Sequence, residues 1–171
     1  MNKFKAKYVY WDSKNQRVID CYEADKLRFG KQDTLPKHIR RFDSRHEFKV
    51  YLELIRIYGI RRIKTQVHIN LLPRGLCFPR GKTWKVDFAI VEHYDQSVYC
   101  KYVEAKGMIT REFVYTLACL EAYKPIIFNN LSLVFTRNIP KDNSVIRALS
   151  KTHWNDNLLT LEILQNRRQP L

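Results

Sequence analysis

The sequence predicts an α/β fold in which a central mixed sheet is flanked by helices. The first observation is the order of the core elements, which reads helix, three strands, helix, strand. A helix between the third and fourth strands predicts that these two run parallel, whereas strands joined by short turns run antiparallel. The second observation is composition: 171 residues with 45% hydrophobic residues are typical of one compact domain with a core. We therefore expect a single domain spanning residues 1–171.

The first element is an N-terminal β-hairpin over about residues 7–22. In "KYVYWDSKNQRVIDCY", bulky residues alternate around a polar turn at Ser13 to Gln16, which is the pattern of two paired strands. The charged stretch that follows contains Gly30 and Pro36. Both residues interrupt regular elements, so this stretch is predicted to be rich in loops.

The predicted core spans about residues 42–136 and begins with a helix in "FDSRHEFKVYLELIRIYG". Asp43 or Ser44 can cap this helix, and Glu47 occupies the third position of a capping box if Ser44 is the cap. Gly59 supplies the C-terminal stop.

Three strands are predicted after this helix. "IRRIKTQVHINLL" is rich in β-branched residues, while "PRGLCFPRGK" has the composition of a basic loop. Two further strands are predicted near residues 84–92 and 98–104, around a turn centred between Asp95 and Gln96.

The second core helix is predicted in "REFVYTLACLEAYK", with Thr110 as its cap and Pro125 at its end. "LSLVFT" then predicts the fourth strand. The C-terminal extension, about residues 140–171, contains a short helix in "DNSVIRALSKTHW", and "LLTLEIL" is compatible with a last strand.

The charge balance favours a polyanionic partner. Lys and Arg total 31 against 17 Asp and Glu, so the formal net charge is +14. Nucleic acid is the first expected partner, and an anionic membrane surface is the second. A membrane is disfavoured because no apolar run approaches the roughly 20 residues of a transmembrane helix. The N-terminus has no apolar signal-peptide core, so we expect a cytoplasmic protein, in the nucleoid or host-cell cytoplasm, that is not secreted.

Neither a zinc site nor a disulfide framework is indicated by the cysteines, which are scattered without any C-x-x-C pair. The five histidines show no H-x-x-x-H spacing. The four cysteines are Cys21, Cys77, Cys100 and Cys119.

Three charges in the most strand-like segment, Asp87, Glu104 and Lys106, form the candidate site. A turn centred between Asp95 and Gln96 sets Asp87 opposite Glu104, and Lys106 follows on the same face. Facing carboxylates repel unless a cation lies between them, and Mg²⁺ is commonly held by two carboxylates and several waters. The spacing predicts a phosphodiester-hydrolysing site. The alternative is that all three are solvated positions at strand ends.

These residues resemble the PD-(D/E)XK nuclease superfamily, whose signature is an acid on one strand and (D/E)-x-K on the next. The match is Asp87 followed by Glu104-Ala105-Lys106. The surrounding sequence is similar to phage-type endonucleases and to the nuclease subunits of heteromeric transposases, in which Glu47 and Gln66 have counterparts. A proline does not precede Asp87, and no helix-turn-helix module follows Phe135, which favours a stand-alone nuclease.

The resemblance implies a restriction-endonuclease-like αβββαβ core and a metal-dependent DNA endonuclease from a phage or mobile element. Asp87, Glu104 and the Ala105 backbone carbonyl would bind Mg²⁺, for which Mn²⁺ would substitute. Lys106 would be the catalytic base-like or charge-stabilising residue, and Glu47 a further ligand or a residue that orients water. Members of the superfamily often act as homodimers, because cutting two strands needs two active sites.

Substrate contacts are expected from basic residues in two places and from a strand glutamine. Arg residues in a glycine-containing loop can bind phosphates, although solvated loop residues have the same appearance. The candidates are Gln66, Arg74, Arg80, Lys82, Lys37, Arg40 and Arg41. Two alternatives stay open: a non-catalytic basic nucleic-acid-binding protein, and a nuclease of the same fold that acts on branched DNA or RNA.

Overall fold

A computed structural model describes residues 8–27, 35–76, 79–92 and 99–167. The chain divides into two compact units, Met1–Lys49 and Val50–Leu171, which are described separately. The predictions that concern Gly30, Cys77 and the turn between Asp95 and Gln96 lie outside the described residues. The assignment of one nuclease domain with an N-terminal decoration stays a prediction.

The first unit contains a three-stranded antiparallel sheet. Strands β1 (Val9–Asp12) and β2 (Arg17–Ile19) form the predicted hairpin, and β3 (Ile39–Phe42) pairs with the other edge of β1. The stretch after the hairpin was predicted to be rich in loops, and this was wrong in part. It includes most of the helix α1 (Cys21–Lys26), which the Asp20 side chain caps by accepting from Glu23 N at 2.7 Å, and the first residues of β3.

The helix α2 (Arg45–Tyr58) begins in the first unit and ends in the second. The predicted capping residues are confirmed: Ser44 Oγ accepts from Glu47 N at 3.0 Å. The Glu47 carboxylate accepts from Asp43 N at 2.8 Å, one residue earlier than in the usual capping box.

The second unit is built on a five-stranded mixed sheet, which confirms the predicted α/β class. The first three strands of the sheet pair antiparallel to one another, and the third, fourth and fifth strands pair parallel, so the third strand takes part in both kinds of pairing. The order is β4 (Ile63–Leu72), β5 (Lys82–Val91), β6 (Tyr99–Lys106), β7 (Leu131–Phe135) and β8 (Leu158–Thr160).

Helices connect the parallel strands. Helix α3 (Arg111–Tyr123) follows β6 and has the predicted cap, in which Thr110 Oγ1 accepts from Phe113 N at 3.2 Å. Pro125 does more than end this helix, since it is the first residue of α4 (Pro125–Asn129). Pro is suited to that position because the first N–H of a helix has no intrahelical partner.

The C-terminal part contains α5 (Ser144–Leu149), a 3-10 helix at His153–Asn157 and α6 (Leu161–Asn166), and another 3-10 helix precedes β4 at Ile60–Arg62. The predicted strand "LLTLEIL" is only half correct. Thr160 Oγ1 accepts from Ile163 N at 3.2 Å and caps a helix where alternation predicted a strand. In the part of the chain that the structure describes, no helix is long and apolar enough to cross a membrane.

Both faces of β5 are covered within the second unit. Tyr51 of α2 stacks on Phe88, with ring centroids 6.0 Å apart. Phe113 of α3 contacts Trp84, with centroids 6.1 Å apart. Aromatic contacts with two helices therefore lie on either side of Asp87 along β5, and Asp87 itself is half-buried.

Candidate active site

The register of β5 and β6 brings the two predicted acids together. The pairs Phe88↔Val103 and Ala89↔Tyr102, carried one residue further, set Asp87 opposite Glu104 as predicted. Towards the other end of the pair the register shifts by one residue between Ile90 and Val91.

The acids replace the backbone pairing of the sheet. Glu104 Oε2 accepts from Asp87 N at 3.2 Å, and Asp87 Oδ2 accepts from Ala105 N at 2.9 Å. Each carboxylate thus reaches the main chain of the opposite strand. The two side chains lie between β5 and β6 at the point where the ladder ends.

Lys106 lies beside Glu104 and is positioned from two sides. Its Nζ is 2.6 Å from Glu104 Oε1 and 4.0 Å from the centroid of the Phe113 ring. The Lys106 side chain retains 20% of its exposure, against 6% for Glu104. An ammonium group is therefore held at the surface of a buried carboxylate.

Burial raises the pKa of the Glu104 carboxyl above its ordinary value. The Lys106 charge and hydrogen bond, the Asp87 N–H and the charge of Lys85 all lower that pKa, but they do not outweigh the burial. The sequence suggested that facing carboxylates require a metal ion. The structure shows that backbone donors and Lys106 already offset part of the repulsion, while the ionised form of Glu104 would be stabilised by additional positive charge.

The packing of side chains does not follow simple alternation around Asp87. Side chains of a regular strand alternate between faces, yet Val86 and Ala89, three residues apart, belong to the same core cluster. Phe88 packs instead on Tyr51. The alternation is therefore reset at Asp87. Irregularities of this kind re-aim side chains and are common beside active sites.

Gln66 occupies the corresponding position on β4. The pairs Thr65↔Phe88 and Val67↔Val86 flank it, so Gln66 lies in the same row of the sheet as Asp87. Its φ is 57°, a left-handed value that costs a non-glycine residue about 1 kcal/mol or more and that occurs preferentially at functional sites. Its predicted substrate contact stays a prediction, but its place beside the acids is now clear.

The donor set at this site is compatible with a divalent cation. Asp87 and Glu104 supply hard carboxylate oxygens, which Mg²⁺ prefers. Ala105 donates its N–H towards Asp87, and because the N–H and C=O of one strand residue point to the same side, its carbonyl also faces β5. No three His, Cys, Asp or Glu side chains gather into a possible metal group among the described residues, so this site would depend on two carboxylates and a carbonyl.

Glu47 belongs to the first unit. It is buried, at 4% exposure, and accepts the Asp43 N–H described above. Its bond at the start of α2 is a structural role, and its predicted role as a further ligand stays a prediction.

The predicted basic contacts are divided between the units. Arg74 and Arg80 line a cavity in the second unit, whereas Lys82 is not among the residues that line it. Lys37 precedes β3, and Arg40 and Arg41 lie within it, in the first unit. Arg41 forms an ion pair with Asp43 at 3.4 Å, which reduces its availability for a phosphate.

Two cations near these sites were not singled out from the sequence. Lys85, whose charge acts on Glu104, is a strand residue in a chain rich in lysine. Lys124, which lines the same cavity as Arg74 and Arg80, is more than 40 residues away from them in sequence. Only the fold brings either one to its partners.

Comparisons with protein-family models, curated proteins and solved structures found no match to this chain. The chemistry of the Asp87 row is therefore the main basis for a function.

Proposed function

We propose that this protein is a Mg²⁺-dependent DNA endonuclease with a restriction-endonuclease-like core. The observation that carries the proposal is the interruption of the β5–β6 ladder by Asp87 and Glu104, with the Lys106 ammonium 2.6 Å from Glu104. A buried acid paired with a half-buried acid beside a lysine, in a chain of net charge +14, matches the requirements of phosphodiester hydrolysis.

Asp87, Glu104 and the Ala105 carbonyl would hold the cation. When bound, a divalent cation polarises a phosphoryl oxygen and makes water a better nucleophile at neutral pH. The protein holds these oxygens on two paired strands instead of on loops, which limits their movement. Binding of the cation would favour the ionised form of Glu104 and oppose the raised pKa of this carboxyl.

Lys106 would stabilise the negative charge that develops on the phosphate. Its ammonium is fixed by Glu104 and by the Phe113 ring, so little reorganisation is needed when a phosphate approaches. The surrounding basic residues would hold the DNA backbone, and a homodimer would provide one such site for each strand.

A second function is favoured by one observation. Both carboxylates make hydrogen bonds within the sheet, as expected of acids that stabilise it. This supports a non-catalytic nucleic-acid-binding protein, whose affinity would fall steeply with salt and would not require a metal. A nuclease that acts on branched DNA or RNA would share the catalytic residues and differ in the substrate it cuts.

Cleavage assays with Asp87→Asn test the proposal. Wild-type protein is expected to nick supercoiled plasmid in Mg²⁺ and not in EDTA, and Asp87→Asn is expected to be inactive because the amide cannot supply a charged ligand. Asp142→Asn, a change at an exposed acid, serves as the matched control. The same proteins are incubated with a branched junction and with RNA. Absence of metal-dependent cleavage of all these substrates, or equal cleavage by Asp87→Asn, would refute the proposal.

A further inference from the structure

A cavity of about 540 Å³ lies at the end of the β4–β5 pair, separate from the acids. The last pairs of these strands, Asn70↔Thr83 and Leu72↔Lys82, lie beside it. Asn70, Thr83, Arg74 and Arg80 are among the residues that line it. The cavity is thus formed where two rigid strands meet their connecting loop.

The charged residues described around this cavity are all cations. Arg74, Arg80 and Lys124 line it, and no Asp or Glu lines it in the part of the chain that the structure describes. Of the ion pairs formed between described residues, none involves these three cations. Like charges that converge on a concave surface repel one another and raise the local concentration of anions. The cavity therefore has the electrostatic character of an anion site.

Backbone geometry helps to shape the loop. Gly81 has a φ of 69°, and a Cβ at this position would lie 2.8 Å from the Leu72 carbonyl oxygen. Only glycine permits so close an approach. This close approach brings the two ends of the connecting loop together, and Arg74 and Arg80 near these ends both line the cavity.

Lys124 reaches the cavity from a different element. It joins α3 to α4, where its N–H donates to Leu120 O at 2.8 Å and its carbonyl accepts from Phe128 N at 3.0 Å. These bonds fix the Lys124 backbone between two helices. A third cation from a rigid and distant segment distinguishes this cavity from an ordinary solvated loop.

We infer that this cavity binds a phosphate group of the nucleic-acid strand, held by Arg74, Arg80 and Lys124. Guanidinium groups bind phosphate oxygens through two parallel hydrogen bonds, and a lysine acts as a point charge. Thr83 and Asp87 are separated by four strand residues, or about 13 Å. At about 3.4 Å of axial rise per nucleotide, the bound phosphate is a few nucleotides from the one that is cut. This role rests on the proposed function, since it makes the cavity an anchor for the substrate of Asp87 and Glu104.

Binding measured in EDTA tests the anchor without cleavage. Fluorescence anisotropy with a labelled duplex and a labelled single strand is recorded for wild type, Arg80→Gln, Lys124→Ala and the double variant. Each single change is expected to weaken binding about tenfold at low salt and to reduce the slope of log affinity against log salt by about one. Lys151→Ala and Arg137→Gln, exposed cations elsewhere in the second unit, are the matched controls. Equal affinity of the cavity variants and the controls would overturn the inference.

Two further measurements complete the test. The first distinguishes a nucleic-acid phosphate from a small phosphate compound, and the second distinguishes failure of the anchor from failure of the nuclease proposal. Inorganic phosphate and a short oligonucleotide are compared by the rise in Tm that each produces; equal rises, both lost in Lys124→Ala, would assign the cavity to a small phosphate compound and overturn the nucleic-acid anchor. Plasmid cleavage in Mg²⁺ is measured in parallel. Weaker binding by Lys124→Ala without cleavage by any of the proteins would support the phosphate anchor and refute the nuclease. Metal-dependent cleavage with unchanged DNA binding by Lys124→Ala would support the nuclease and refute the anchor.

Discussion

Two buried carboxylates, one chosen from each unit of the molecule, differ in how they are stabilised. Asp12 and Glu104 are 3% and 4% exposed. Asp12 accepts from Lys14 N at 2.9 Å, from Asn15 N at 3.1 Å and from Asn15 Nδ2 at 2.7 Å. Burial alone would raise the pKa of Asp12, but these bonds lower it below its ordinary value. Burial raises the pKa of Glu104 despite Lys106.

This difference distinguishes a structural acid from a candidate catalytic one. Asp12 obtains its donors within three residues, from the turn that it stabilises. Glu104 depends on Asp87 of the neighbouring strand and on Lys106, and these leave its charged form under-stabilised. Burial is thus shared by both acids, whereas a raised pKa beside a second acid is found at the site where a cation would bind.

Glu104→Gln is expected to have the largest effect on function. Cleavage should fall about a hundredfold to a thousandfold, because the amide cannot replace a charged ligand.

Tm should not fall. A folded-state pKa raised above the unfolded value contributes stability at low pH that is lost as pH rises through the folded pKa, so the Tm of the variant relative to wild type should increase from pH 4 to pH 8. Glu121→Gln, at an exposed glutamate, is the control; a Tm difference that is independent of pH would contradict the raised pKa.

Lys106→Ala is expected to reduce cleavage about a hundredfold. The change removes the ammonium that lies over Phe113 and beside Glu104, while the fold and most DNA affinity should persist. Single-turnover cleavage and anisotropy binding are measured together, with Lys141→Ala as the control at an exposed lysine. Full activity of Lys106→Ala would remove this residue from the proposed mechanism.

Asp12→Ala should affect stability and leave catalysis unchanged. Loss of an acceptor for three donors is expected to lower Tm by about 5 °C at pH 7. A lowered pKa contributes stability above the unfolded value that is lost as pH falls, so the difference from wild type should shrink towards pH 3. Thermal unfolding from pH 3 to pH 8 measures this. A slower cleavage rate at a temperature where Asp12→Ala is fully folded would show that the contrast between Asp12 and Glu104 is wrong.

The smallest expected effect concerns two glutamines with positive φ. Gln16, at 50°, lies in the hairpin turn after Asp12, and Gln66, at 57°, lies in the row of Asp87. Glycine relieves the strain of the left-handed conformation but increases the conformational entropy of the unfolded chain. Because these effects oppose each other, each Gln→Gly change should alter the free energy of unfolding by less than about 1 kcal/mol. Only Gln66→Gly is expected to slow cleavage, by about tenfold. Equal activity of the two variants would mean that the strain at Gln66 has no part in the site.

The sequence was most informative where the determining interactions are local. Ser44 and Thr110 cap the helices that they were predicted to cap, and the register that pairs Asp87 with Glu104 was correct. The helix after Thr160 was missed because "LLTLEIL" also alternates like a strand, although Thr160 caps a helix there. The break in alternation at Asp87 and the left-handed φ of Gln66 have no local sequence signal. Both depend on how β4, β5 and β6 pair at the level of Asp87.

The most direct test of the central claim is calorimetric titration of Mn²⁺ into wild type, Asp87→Asn and Glu104→Gln at pH 6 and pH 8. If the two acids hold a catalytic cation, wild type will bind one ion, more tightly at pH 8 because the metal competes with the proton that the raised pKa of Glu104 retains. Both variants will lose this binding. Binding that is equal in all three proteins, or absent from wild type in the presence of a DNA oligonucleotide, would show that Asp87 and Glu104 are structural acids like Asp12.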